Sequence, residues 1–262
     1  AFLARSKWQP GSHCMNSRDN KKLTVGILQC GEVPENLRDA FVDYNDMIAQ
    51  MLTDSDAALV CRTWRGFDGE IPKPDDCDAW ITTGSRDSVN DESDWTHALC
   101  DFVARTAKTD IPFVGICYGM QMMARALGGK VEISTRGWGV GVAQSAVLRR
   151  MPWMGESTPN VNLVVSHQEQ VTALPEDTEL IAGNDFCPNS IITVSGNMLG
   201  IQGHPEFTTA YSRALMEMRR SIIPAERIAQ GIDSLSIEVD GARVFDWITS
   251  FIRSGTLVSP AV

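Results

Sequence analysis

The stretch IPFVGICYGMQMMARALGG, residues 111–129, contains the feature that decides the fold of this chain. Its first part, Pro112 to Ile116, is a short apolar run of the kind that forms a buried strand. After the turn Cys117-Tyr118-Gly119, apolar residues recur three and four positions apart, which predicts a helix that ends at the glycine pair 128–129. The stretch is therefore predicted to be a strand and a helix joined by a sharp turn.

Two glycines frame the turn, because Gly115 and Gly119 stand two residues before and two residues after Cys117. In a sharp strand-to-helix turn the central residue is strained, and side chains at the two flanking positions would collide. The same spacing surrounds the nucleophilic serine of many hydrolases. A thiol at the start of a helix is favoured as the nucleophilic thiolate. We therefore interpret Gly115–Gly119 as a nucleophile elbow centred on Cys117, and not as the site of a small buried hydrophobic residue.

The composition excludes several classes of function. The 262 residues carry a formal net charge of −10 and no basic cluster, which argues against nucleic acid as a partner. No apolar run approaches the roughly 20 residues of a membrane span. The seven cysteines are scattered without C-x-x-C spacing, which argues against a disulfide framework or a zinc site and favours a reducing, cytoplasmic compartment. We expect no metal and no cofactor.

The beginning of the chain does not look like part of the fold. Residues 1–22 are polar and irregular, and they are expected to be a disordered tail or a remnant of expression. Met15 is a candidate for the natural start. Residues 23–262 contain no internal repeat, low-complexity tract or linker, so they are expected to form one domain.

Apolar runs alternate with amphipathic stretches before the elbow. Strands are predicted at residues 23–30, 57–62 and 79–83, and helices at 37–52, with Asn36 as the N-cap, and at 95–108. Such alternation predicts an α/β fold with a doubly wound, mostly parallel, flavodoxin-like sheet and helices on both faces. Ligands of such sheets bind at the carboxyl ends of the strands, where residues 84–85 and Cys117 are both expected.

The pattern changes after the elbow. Residues 130–165 are rich in valine, glycine and tryptophan without a helical period, which predicts antiparallel ribbons that extend the sheet. Further strands are predicted at 161–165, 180–183, 191–194 and 198–202. Helices are predicted at 208–222, 225–235 and 242–252, after the segment Gly203-His204-Pro205-Glu206-Phe207.

A thiolate nucleophile needs a partner that moves protons, and a histidine is the usual choice. Two of the four histidines are set aside, since His13 lies in the tail and His97 is expected to be a structural residue of a helix. His167 and His204 each follow a predicted strand. His167 is expected to be structural or to line the pocket, with its ring hydrogen-bonded in a turn.

His204 is the stronger candidate because Glu206 follows two residues later. Pro205 is expected to hold the backbone extended, which places residues 204 and 206 on the same side. The carboxylate could then fix the tautomer of the imidazole. The alternative role of Glu206 is to favour the start of the next helix, and both roles are compatible.

These segments together resemble the class I (triad) glutamine amidotransferases, in the form of a stand-alone GMP-synthase-like amidotransferase domain. The resemblance is carried by GICYGMQ around Cys117 and GHPEF around His204, and it is supported by ITTGS (81–85), GWGV (137–140) and SHQEQV (166–171). It covers about residues 23–207. It implies a doubly wound α/β domain that hydrolyses the γ-amide of glutamine through a γ-glutamyl thioester and releases glutamate and ammonia.

The resemblance also implies a role for each matching residue. Cys117 would be the nucleophile, His204 the base and acid, and Glu206 the carboxylate that orients the histidine. The substrate would be held by Gln121 and, through the backbone, by Gln168 and Glu169.

The oxyanion hole would use backbone N–H groups of Tyr118 and of either Ser85 or Gly84. The family usually has a proline after the glycine pair of this loop, whereas this chain has Gly84-Ser85-Arg86. Arg86 is an alternative contact for the substrate carboxylate.

Three functions remain open on the sequence. One is a stand-alone hydrolase of γ-glutamyl amides or peptides, and another is a glutaminase subunit that delivers ammonia to a separate synthetase chain. The third is a non-catalytic regulatory or binding module, which the intact triad disfavours. No ATP-binding or dinucleotide-binding fingerprint occurs. The resemblance implies that the small-molecule substrate is glutamine or a related γ-glutamyl compound, and we lean slightly to the stand-alone enzyme.

Overall fold

A computed structural model describes residues 21–155 and 158–255 of the chain. Apart from Lys21 and Lys22, the predicted tail at residues 1–22 therefore lies outside the described residues. The strands are β1 Leu23–Gln29, β2 Leu59–Arg65, β3 Ala79–Thr82, β4 Phe113–Ile116, β5 Lys130–Ile133, β6 Gly139–Val147, β7 Asn160–His167, β8 Glu169–Ala173, β9 Thr178–Gly183, β10 Ile191–Val194 and β11 Met198–Ile201. The α-helices are α1 Tyr44–Ser55, α2 Asp94–Thr106, α3 Tyr118–Ala126, α4 Thr209–Met218, α5 Ala225–Ser234 and α6 Gly241–Gly255.

Nine strands form one mixed sheet in the order β2-β1-β3-β4-β11-β10-β9-β6-β7. The first five strands of this order are parallel neighbours, and each remaining pair is antiparallel. The predicted doubly wound sheet with a parallel part and an antiparallel extension is therefore confirmed. The strand order of the parallel part, in which the second strand lies outside the first, is that of flavodoxin-like folds.

Helices cover both faces of the parallel part because its central strands are apolar on both sides. On one face Trp80 of β3 packs edge-to-face on Phe102 of α2, with ring centroids 5.0 Å apart. On the other face Ile81 and Val114 belong to the cluster that contains Ile48 of α1 and much of α6. Since successive residues of a strand point to opposite faces, the continuous apolar runs of β3 and β4 produce the three-layer core.

The predicted start of α1 is wrong. Residues 35–37 form only a short 3₁₀ turn, and α1 begins at Tyr44 with Asp43 as its N-cap. The Asp43 carboxylate accepts the N–H of Tyr44 at 2.9 Å and the N–H of Val33 at 2.8 Å. Asparagine and aspartate are equally good N-caps, so capping alone does not decide between Asn36 and Asp43. Asp43 is the N-cap because its carboxylate also accepts a backbone N–H of the preceding loop.

The antiparallel extension was predicted correctly for β6 and β7, but β5 does not belong to it. β5 pairs with β8 in a separate two-stranded ribbon. No strand was predicted at β8, which follows β7 almost directly. The ribbon is continued by a hydrogen bond from the N–H of Ser134 to the carbonyl of Gln168, at 2.7 Å. It places Glu169 beside the carboxyl end of the sheet.

The C-terminal helices lie on different parts of the sheet. α6 packs against α1, whereas α4 and α5 cover β6. Within residues 21–155 and 158–255, no helix combines the length and the apolar character needed to cross a membrane. The predicted site residues meet in a cavity at the carboxyl ends of β3 and β4.

Candidate active site

The elbow forms the sharp turn that the sequence predicts. Cys117 has φ 49° and ψ −101°, a strained conformation for a residue with a side chain. Its N–H donates to the carbonyl of Ile201 on β11, at 2.7 Å. A Cβ on Gly115 would lie 2.5 Å from the carbonyl of Gly119, whereas a Cβ on Gly119 would lie 1.6 Å from Oγ1 of Thr82. One glycine thus allows the turn itself, and the other allows the turn to pack on β3.

The ring of Tyr118 points away from the site, so only its backbone could serve the predicted role. The ring is buried, stacks on Trp95 with centroids 5.4 Å apart, and places its hydroxyl 2.8 Å from Oγ1 of Thr96. Tyr118 is the first residue of α3, and the first N–H groups of a helix have no intrahelical acceptor. Its N–H is thus located where the predicted oxyanion hole needs a donor, directly after Cys117.

The loop after β3 lies against the cysteine and the histidine. A Cβ on Gly84 would lie 2.8 Å from Cε1 of His204 and 3.7 Å from Cβ of Cys117. No side chain therefore fits at position 84 without moving the imidazole. Ser85 lines the cavity above Cys117, and its Oγ accepts the N–H of Asp87 at 3.2 Å. The structure thus brings both predicted donors of this loop to the site, and their role stays a prediction.

His204 is held in place from three sides. Its backbone N–H donates to the backbone carbonyl of Val164 at 2.8 Å. Its ring nitrogen Nδ1 lies 2.8 Å from Oε1 of Glu206. The ring of Phe207 lies parallel to the imidazole, with centroids 4.0 Å apart and an interplanar angle of 1°. His204 and Glu206 are both 5% exposed. The imidazole is therefore fixed in position and in orientation.

The route by which Glu206 reaches His204 differs from the prediction. Residues 204–207 form a turn, in which the N–H of Phe207 donates to the carbonyl of His204 at 3.3 Å, and not an extended segment. The carboxylate nevertheless reaches Nδ1, since the turn brings residues 204 and 206 together. The expected pairing is present, but the extended backbone invoked for it is not.

The electrostatics favour a protonated histidine. Burial alone lowers the pKa of His204, but the carboxylate of Glu206, and after it the sulfur of Cys117, outweigh burial and raise this pKa to about 10. Because Nδ1 is engaged by Glu206, Nε2 is the ring nitrogen available to Cys117. An imidazolium beside a thiolate is the resting pair of a cysteine hydrolase.

Gln202 is a site residue that the sequence analysis missed. Its side chain is 1% exposed, and its Nε2 donates to Sγ of Cys117 at 3.5 Å. Its Oε1 accepts a hydrogen bond from Nε2 of Gln121 at 3.2 Å. Nε2 of Gln121 also donates to the backbone carbonyl of Glu169 at 2.8 Å. This chain of amides connects Cys117 to the predicted substrate-binding residues. The only sequence signal for it was its place directly before GHPEF.

A cavity of about 340 Å³ opens above Cys117. The predicted substrate-binding residues Gln121, Gln168 and Glu169 line it, as do Ser85 and Arg86. Nε2 of Gln121 already donates two hydrogen bonds, so the amide oxygen is the atom left to bind a ligand. An oxygen acceptor suits the α-ammonium group of a substrate.

Ser88 and Arg219 line the same cavity, and the sequence analysis did not identify either of them. The hydroxyl of Ser88 lies 2.8 Å from both carboxylate oxygens of Glu169 and orients that carboxylate. The side chain of Arg86 is 85% exposed and lies 3.9 Å from Asp87, at the outer edge of the cavity.

His167 lines the cavity above Cys117, which is one of its predicted roles, and its ring packs edge-to-face on Phe186. The side chain of Gln170, on β8, works against the effect of burial on the pKa of His167. Burial, and after it the charge of His204, lower the pKa of His167 to about 3, so the ring stays neutral. His167 also lines a second cavity of about 240 Å³, to which residues of β6, β7 and α5 contribute. His97 lies at the surface, 3.1 Å from Glu92.

Comparison with known proteins gives the family. The family model for glutamine amidotransferase class-I matches residues 36–219. Gamma-glutamyl peptidase 4 of Arabidopsis thaliana is 31% identical over 153 residues, which are 55% of this chain and 61% of that protein. A GMP synthase (glutamine-hydrolyzing) of Photorhabdus laumondii is 41% identical over 106 residues, which are 37% of this chain and 20% of the synthase.

The fold of this chain is also similar to that of a solved structure. The crystal structure of a glutamine amido transferase from Methylobacillus flagellatus superposes with a TM-score of 0.67 at 18% identity, over 90% of this chain and 94% of that one. The chain spans about three fifths of the length of the gamma-glutamyl peptidase that it matches. Since the family model covers most of the sequence, including the elbow and the GHPEF segment, the chain belongs to the class-I glutamine amidotransferase family.

Proposed function

We propose that this chain hydrolyses γ-glutamyl amides through a γ-glutamyl thioester on Cys117, with His204 and Glu206 as the other members of the triad. The observation that supports this most strongly is the arrangement at the elbow. A strained cysteine at the start of α3 faces a buried histidine whose pKa is raised to about 10 by Glu206 and Cys117 against the effect of burial. We propose one catalytic domain, residues 23–262.

The first half of the proposed reaction forms the thioester. The Cys117 thiolate attacks the carbonyl carbon of the γ-amide, and the C=O electron pair moves onto the oxygen. The N–H of Tyr118 and that of Gly84 or Ser85 would hold this oxyanion. On collapse the C–N bond breaks, and the imidazolium of His204 donates its proton to the leaving nitrogen, so that a neutral amine or ammonia departs.

The second half returns the enzyme to its resting state. His204, now neutral, takes a proton from a water molecule whose oxygen attacks the thioester carbon. The C–S bond then breaks, the thiolate is restored beside the imidazolium, and the γ-carboxyl group of glutamate is released. Glu206 would keep Nδ1 protonated throughout, so that Nε2 carries out both proton transfers.

The substrate class that we favour is a γ-glutamyl peptide or amide, cleaved without a partner chain. Two observations support this choice: the similarity to a protein named gamma-glutamyl peptidase, and a cavity that continues past Cys117 to Trp138 and Arg219. The second candidate is a glutaminase subunit of a separate synthetase, favoured by the similarity to a GMP synthase. A non-catalytic module is disfavoured because the nucleophile, histidine and carboxylate are all present.

Steady-state kinetics on the purified chain tests the proposal. Glutamine and γ-glutamyl-alanine are each incubated with the protein, and the release of glutamate and of ammonia or alanine is measured. Turnover of γ-glutamyl-alanine that disappears in Cys117→Ala supports the stand-alone hydrolase. Negligible turnover of both compounds by folded protein with a reduced Cys117 contradicts it and favours the subunit.

A further inference from the structure

The cavity above Cys117 has two halves of different character. Gln121, Glu169 and Ser88 form one half, which offers the oxygen acceptors suited to an amino-acid head group. The other half is lined by Trp138, Ser166, Arg219 and Ile222. Ile222 is 59% exposed, so an apolar surface faces solvent at the rim. Glutamine, which would release only ammonia, has no group to occupy this second half.

Arg219, directly after α4, is the cation of the second half. It is half-buried, its Nη1 donates to Oγ of Ser166 at 2.8 Å, and its guanidinium carbon lies 5.9 Å from the centroid of the Trp138 ring. Among the carboxylates of residues 21–155 and 158–255, none lies within 4.0 Å of this guanidinium. A half-buried arginine that faces a cavity and has no carboxylate partner suits a bound anion, since its planar fork matches a carboxylate.

Arg219 lies on the same side of the site as His204. Its partner Ser166 is on β7, two residues after Val164, whose carbonyl accepts the His204 N–H at 2.8 Å. The imidazolium of His204 must protonate the leaving nitrogen, so the leaving half of the substrate departs from this side. Arg219 is therefore held on the leaving-group side of the site, by the same strand that holds the backbone of His204.

We propose that Arg219 determines specificity by binding the C-terminal carboxylate of the leaving group, which makes the preferred substrates γ-glutamyl peptides that end in a free carboxylate. Trp138 and Ile222 supply apolar contacts for the side chain of the leaving residue. This inference rests on the proposed γ-glutamyl hydrolase function and adds to it the chemistry of the leaving group.

The experiment compares substrates that differ only in that carboxylate. The kcat/KM values for γ-glutamyl-alanyl-glycine and for its C-terminal amide are measured with the wild-type chain and with Arg219→Gln, Arg219→Lys and Arg213→Gln. Arg213 is the matched control, because it is an exposed arginine of α4, the helix that ends just before Arg219, and it does not line the cavity. The readout is the ratio of the two kcat/KM values, which a general loss of stability does not change.

We expect the wild-type chain to prefer the free carboxylate by about ten- to a hundredfold, the range of a charge-assisted hydrogen bond. Arg219→Gln should remove most of that preference, Arg219→Lys should keep part of it, and Arg213→Gln should keep all of it. A preference that persists in Arg219→Gln, or that is absent from an active wild-type chain, overturns the inference alone. If the wild-type chain cleaves no γ-glutamyl compound, the proposed function fails and the inference falls with it.

Discussion

The ring of Phe207 lies flat on the imidazole of His204, with the two ring centroids 4.0 Å apart and an interplanar angle of 1°. Phe207 also packs edge-to-face on Tyr211 and lies close to Tyr44. The hydroxyls of these two tyrosines are 2.8 Å apart. The face of the histidine is thus fixed by a packed aromatic cluster, while Nδ1 is fixed by Glu206. An aromatic face also favours a positive charge on the ring that it covers.

The first prediction concerns this stack. Phe207→Leu should lower kcat about tenfold, since it removes the plane that holds the imidazolium. Phe41→Leu is the matched control, because Phe41 packs on Tyr211, 5.1 Å between centroids, in the same cluster. Both variants should lose similar thermal stability, and only the first should lose activity. Equal kcat values in the two variants would show that the stack is merely structural.

The second prediction concerns the charge of His204. The chemical shift of the proton bonded to Cε1 of His204 is followed by NMR as the pH is changed. It should show no midpoint between about pH 5 and 8, where an unperturbed histidine titrates. Because Glu206 is the largest of the causes that raise this pKa to about 10, Glu206→Gln should move the midpoint down. A wild-type midpoint near the unperturbed value of about 6.5 would contradict the ion pair.

The same shift has a consequence for stability. A histidine whose folded pKa lies above its unfolded pKa stabilises the fold fully below the unfolded value of about 6.5. That contribution is lost as the pH rises through the folded value of about 10. The part of the free energy of unfolding that is due to His204 should therefore fall between these two pH values, as urea unfolding of the wild-type chain and of His204→Asn would show.

The third prediction separates proton transfer from orientation. His204→Asn should lower kcat by about a thousandfold or more, because both halves of the thioester cycle need a proton transfer. Glu206→Gln should be milder, since orientation contributes less than transfer in other triads. Equal losses would mean that the carboxylate does more than orient the ring. If His167→Asn removed the activity while His204→Asn did not, the triad would be assigned wrongly.

The fourth prediction concerns the loop after β3. In Gly84→Ala the new methyl group would lie 2.8 Å from Cε1 of His204, so either the loop or the ring must move. We expect kcat to fall about a hundredfold, the effect of losing one oxyanion donor. The thermal unfolding midpoint is measured beside it, and a near-wild-type kcat in the folded variant would exclude this loop from the oxyanion hole.

The sequence predicts the elbow and the sheet well because both are local. The framing of Cys117 by Gly115 and Gly119 follows from sterics within five residues, and the central strands follow from continuous apolar runs. The start of α1 was less predictable, because Asp43 was favoured over Asn36 through its hydrogen bond to Val33, a contact outside the helix.

The rest of the site depends on contacts between distant parts of the chain. Gln202 lies beside Cys117 only because β11 pairs with β4. Arg219 reaches the cavity because α4 packs against β6 and β7, and no local pattern indicates which helix end faces the nucleophile. The packing of His167 on Phe186 likewise results from tertiary contacts that no local pattern indicates.

Direct detection of the acyl-enzyme tests the central claim most directly. The purified chain is mixed with γ-glutamyl-alanine, quenched in acid within the first turnovers, digested, and mapped by mass spectrometry. The account predicts that the peptide containing Cys117 gains the mass of one γ-glutamyl group, that hydroxylamine removes it, and that Cys117→Ala shows no such adduct. Substrate turnover with no adduct on Cys117, or with the adduct on another residue, would contradict the account.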